Sequence, residues 1–67
     1  MTQVGDRVRL IYSNDQFTRL NPGDEGTVTF IDSMGTFFVD WDSGSKLGLV
    51  REGGDRWAVI PEVGKDN

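Results

Sequence analysis

Apolar residues in this chain recur at every second position, in short runs that glycine, proline, asparagine or aspartate interrupt. A repeat of two puts successive side chains on opposite faces of a strand; a helix needs apolar residues three and four apart. No window of about a dozen residues carries a helical stripe with a cap and a stop. The chain is read as all-β, and the interruptions as its turns.

The first strand runs from Asp6 to Tyr12, with Val8, Leu10 and Tyr12 on one face and Arg7, Arg9 and Ile11 on the other. Ser13 to Gly23 is an eleven-residue connection, long for a small barrel, under which Phe17 and Leu20 are expected to tuck. It ends on Asn21-Pro22-Gly23-Asp24, whose proline and glycine stand in the order of a type II turn. In the second strand, Glu25 to Ile31, Gly26, Val28 and Phe30 share one face and Thr27, Thr29 and Ile31 the other. Gly26 suits a bulge or a close crossing of two backbones.

Asp32-Ser33-Met34-Gly35 reads as a hairpin loop into a third strand, Thr36 to Asp42, with Phe37, Val39 and Trp41 on one face. A turn at Ser43-Gly44 leads to a fourth strand, Ser45 to Val50, with Leu47 and Leu49 inward. Arg51 to Asp55 reads as a flexible turn, and Trp57 to Ile60 as a short closing strand. Residues 1–67 are read as one domain, with an ordered core expected over about 4–60 and a flexible tail expected over 61–67. Five strands in meander order fit a small, partly open barrel. An OB-like barrel and an open sheet completed by a dimer partner are the alternatives.

A chain of 67 residues is short enough to bury only about 60% of its unfolded surface, and small scaffolds usually need a staple. It has neither Cys nor His, which excludes disulfides and any Cys/His zinc site. No apolar run is long enough for a signal peptide or a membrane span, so a soluble cytoplasmic protein is expected. Eleven acids against seven bases give a net charge of −4, which opposes long-range attraction to nucleic acid or anionic membrane.

The segment Val39-Asp40-Trp41-Asp42-Ser43-Gly44-Ser45 invites a metal reading. Counted from Asp40 as a calcium loop, it has Gly at the fifth position where the sixth is required, and Arg51 at the twelfth where Glu is required. As a catalytic pair, Asp40 and Asp42 share an exposed face that offers no desolvation to separate their pKa values. With no His or Cys to assist them, no enzyme and no cofactor are expected. The segment reads as a hairpin, with Asp42 accepting from a turn N–H.

Seven aromatic residues are more than so small a core can use. Phe38 shares the outward face with Ile11 and Ile31, which gives either an exposed apolar patch or a surface covered by the long loop or the tail. The candidate partner-binding residues are Tyr12, Phe17, Arg19, Phe38 and Trp57.

The blocks VGDRVRLIY, NPGDEGTVTFID, GTFFVDWDSGSKLGLV and DRWAVI resemble, over residues 4–60, a family of short stand-alone SH3-like barrel domains. That family occurs in bacteria, archaea, phages and mobile elements and has no assigned function. The resemblance implies an all-β, five-stranded SH3-like, partly open barrel with a long first loop. More distantly, GDEGTV is similar to the loop of KOW domains, which contact RNA, and VDWDSGS to tudor-like and Mib-type barrels, which bind protein. The expected function is a non-enzymatic protein-binding module. Alternatives are nucleic-acid binding through Arg7, Arg9, Arg19 and Arg51, and a structural homo-oligomer such as a homodimer.

Overall fold

The computed structural model describes residues 1–14 and 19–61. Phe17, and with it one of the candidate binding residues, lies outside them. The strands are β1 (Arg7–Tyr12), β2 (Glu25–Ile31), β3 (Thr36–Trp41), β4 (Gly48–Val50) and β5 (Arg56–Ile60), with a 3-10 turn, η1 (Arg51–Gly53), between the last two. They form one antiparallel sheet of five strands in the order β4-β3-β2-β1-β5. The sheet is not closed by pairing of β4 with β5, and is compatible with a small, partly open SH3-like barrel.

Among the described residues no second layer covers the apolar face, which leaves the sheet to cover itself. Val8, Leu10, Val28, Val39, Trp41, Leu49 and Trp57 are buried in one cluster with Leu20 of the first connection. Phe37 of β3 and Trp57 of β5 are separated in the sheet by two strands, yet their ring centroids are 5.0 Å apart. The sheet therefore curls until its two ends share a core.

Two bulges make the curl and change which residues face inward. Between Leu10 and Tyr12 the register against β5 slips by one residue, so Leu10 opposes Trp57 in the core while Tyr12 opposes Arg56 outside. Between Val28 and Phe30 the register against β3 slips likewise, pairing Phe30 with Phe38 and Ile31 with Phe37. An extra residue reverses every face beyond it, and a strict alternation misses this. Tyr12 and Phe30, aligned by alternation with core residues, are exposed, and Ile31 packs against the core. The hydroxyl of Thr29, at the second bulge, donates to the carbonyl of Phe38.

The fourth strand is shorter than its sequence promises because Trp41 uses the preceding residues. Its backbone N–H donates to Ser45 O at 3.2 Å and its indole N–H to Leu47 O at 2.9 Å. Regular pairing with β3 begins only at Gly48. The Asn21–Asp24 turn forms as expected, with Gly23 at φ +99° and Asp24 N–H donating to Asn21 O.

Gly26 is the position that tolerates least. It lies between Val8 and Trp41 in the register, and a Cβ there would sit 2.8 Å from both Asp40 O and Trp41 Cα. Both atoms are backbone, so β2 and β3 would have to separate. Gly26→Ala is expected to destabilise the domain by about 1–3 kcal/mol, the usual range for overpacking. Urea unfolding measures this, and an unchanged midpoint would show that the strands are not held that close.

Candidate functional site

The outward face of the sheet is a lattice of ion pairs. Arg7 donates to both carboxylate oxygens of Asp42, at 2.9 and 2.6 Å, and to the Thr27 hydroxyl at 3.1 Å. Arg9 binds Glu25 through Nε and Nη2, and Glu25 also lies 3.5 Å from Arg7. Lys46 Nζ reaches Asp40 at 2.8 Å. The hydrogen bonds from Arg7 hold the Asp42 carboxyl below the usual carboxylate range, and Asp42 in turn raises the Arg7 guanidinium. Asp42 thus accepts from an arginine 35 residues away, where a turn N–H was expected. Such exposed pairs contribute little to stability, but they leave the face without a net positive stripe.

Beyond the ion pairs stands an aromatic pair, Phe30 and Phe38, 58% and 38% exposed with centroids 5.9 Å apart. Phe38 also lies over Gly48, where an added Cβ would meet its ring at 3.6 Å. The patch expected from Ile11, Ile31 and Phe38 does not form in that composition. Phe30 takes the place of Ile31, and Ile11 lies at the opposite end of β1.

A second feature lies at the end of the β3–β4 ladder, next to Trp57 of β5. The β2–β3 turn, β3 and η1 enclose a half-open cleft of about 290 Å³ lined by Met34, Gly35, Phe37, Val50, Arg51 and Glu52. Trp57 underlies it and is only 5% exposed, so this candidate binding residue is a core residue that supports the site from below. Phe37 packs on one side of its ring, and the Arg51 guanidinium carbon lies over it, 4.2 Å from the centroid. The indole N–H is satisfied by Thr2 Oγ1 at 3.1 Å.

The turn carrying Arg51 is clamped rather than flexible. Asp55, 8% exposed, accepts Val50 N–H at 2.9 Å and Asn14 N–H at 2.7 Å, while the Asn14 side chain donates to Gly53 O. One buried carboxylate thus ties η1 to the start of the long first connection, 41 residues away in sequence. Arg56 adds donations to Arg51 O and Asp55 O. Asp55 stands two residues from Trp57, on the same side of the strand by alternation. A carboxylate so placed must find donors, and that was the available signal.

Of the candidate residues, Tyr12 and Arg19 are exposed near the first connection, Phe38 lies on the outer face and Trp57 in the core. The structure does not gather these four into one surface. The cleft residues Met34, Phe37, Arg51 and Glu52 are brought together instead. Among the described residues no group of three or more His, Cys, Asp or Glu side chains could hold a metal, and no helix is long and apolar enough to cross a membrane.

Residues 2–60 match the model of a family described as a domain of unknown function, DUF4314. The chain belongs to that family. No curated protein and no solved structure matches it. The DUF4314 match covers nearly the same stretch as the resemblance noted in the sequence, and contains every cleft residue.

Removing the Asp55 carboxylate leaves two backbone N–H groups without their acceptor. Asp55→Ala is expected to cost about 1–3 kcal/mol, as for buried donors that lose a partner. Amide exchange at Asn14 and Val50 should accelerate together. Exchange unchanged at both positions would contradict the clamp.

Proposed function

We propose that this DUF4314 domain is a non-enzymatic module that binds protein through the cleft between the β2–β3 turn and η1. The observation that carries this reading is the contrast between the cleft and the ion-paired part of the outer face. Arg7, Arg9 and Lys46 are matched to carboxylates on the outer face. The cleft instead presents the apolar side chains of Met34, Phe37 and Val50, with Arg51 and Glu52 at its rim. A concave apolar site with a few placed polar groups is the usual form of a recognition site. A cytoplasmic setting, inferred from the shortness of the apolar runs, and an origin in a phage or other mobile element, inferred from the resemblance in sequence, belong to the same proposal.

The nucleic-acid alternative is less well supported. It rests on Arg7, Arg9, Arg19 and Arg51, and the guanidinium groups of Arg7 and Arg9 are already occupied by Asp42 and Glu25. Self-association is favoured by one observation, the exposed Phe30–Phe38 pair on the outer face.

Met34 is 87% exposed at a turn, so Met34→Ser removes apolar surface without touching the core. The variant is expected to keep its melting temperature and to lose most capture of a host protein that the wild type retains specifically. Phe38→Ala should leave that capture intact. Retention on single- or double-stranded nucleic acid at low salt, or a sedimenting dimer abolished by Phe38→Ala with no effect of Met34→Ser, would overturn the proposal in favour of the alternatives.

A further inference from the structure

The chemistry of the cleft also limits what can occupy it. Three of the bases, Arg7, Arg9 and Lys46, are engaged with carboxylates, and Arg56 is held by backbone carbonyls. Arg51 differs: its guanidinium lies over the ring of Trp57. A guanidinium held over a ring by its charge still has N–H donors that point away from the ring and can take a carboxylate. The ring also restricts its position, which lowers the entropy lost when a ligand arrives. The apolar lining from Met34, Phe37 and Val50 stands beside it.

We infer that the cleft recognises an extended peptide segment that pairs an apolar side chain with a neighbouring carboxylate. The apolar side chain lies against Phe37, Val50 and Met34, and the carboxylate takes the Arg51 donors. A single carboxylate fits better than a run of acids, because the chain carries a net charge of −4 and repels extended negative charge. Glu52, next to Arg51 on η1, sets the direction. It disfavours an acid on its own side of the cleft and so makes the two ends of the ligand inequivalent. This inference rests on the binding-module reading and adds the ligand class to it.

The test is selection of a displayed library of random ten-residue peptides against the wild-type domain. Binding of the selected peptides to Arg51→Ala, Glu52→Gln and Met34→Ser variants is then measured by calorimetry. The inference expects Asp or Glu enriched next to an apolar residue. It expects a loss of about tenfold or more on Arg51→Ala, the scale of a charge-assisted hydrogen bond, and no loss on Glu52→Gln. Peptides weakened by Met34→Ser but showing no acidic enrichment and no loss on Arg51→Ala would overturn the ligand class while leaving the cleft as the binding site. Failure to select any peptide sensitive to Met34→Ser would overturn both.

Discussion

A five-stranded sheet with one apolar face has, among the described residues, no second layer to lie against. Its apolar face can leave water only if the sheet bends over itself, and every other feature of the molecule follows from that bend. The two bulges bend the strands, and Gly26 lets β2 and β3 approach without a side chain between them. Trp57 is where the bend closes. Its ring meets Phe37 from β3, across two intervening strands, while Leu10 of the neighbouring β1 stands opposite it in the register.

The cleft adjoins this closure, since Phe37 and Arg51 of its lining both touch Trp57. It lies where the β2–β3 turn and η1 meet at one end of the β3–β4 ladder, and its lining comes from those two turns, β3 and β4. Arg51 is placed there by two constraints acting together: the ring of Trp57 below it and the Asp55 clamp that holds its turn. Core packing and site geometry are therefore coupled in this fold. A substitution that loosens this closure disturbs the site without touching its surface.

Much of the fold was legible in the residues. Alternation located all five strands, and Asn21-Pro22-Gly23-Asp24 announced a turn that forms as its residues require. The inward places of Val39 and Trp41 also followed from alternation. What alternation hid were the bulges, because Ile11 and Thr29 look like any other strand residues and only pairing with a neighbouring strand shows the extra residue. The faces of Tyr12, Phe30 and Ile31 were misplaced for that single reason. The candidate site was less legible still. Trp57 and Asp55 act through partners distant in sequence, and a pattern confined to one strand carries no information about which distant element will arrive opposite it.

The central claim is that closing the sheet on Trp57 fixes Arg51 at the rim of the cleft. The most direct measurement is the proton chemical shifts of the arginine side chains in the free domain. A guanidinium held over an indole ring must feel its ring current, so the δ-methylene and ε-NH resonances of Arg51 should lie well upfield of those of exposed Arg19. Arg51 resonances coinciding with those of Arg19 would mean that the stack does not exist, and with it would go the preformed site.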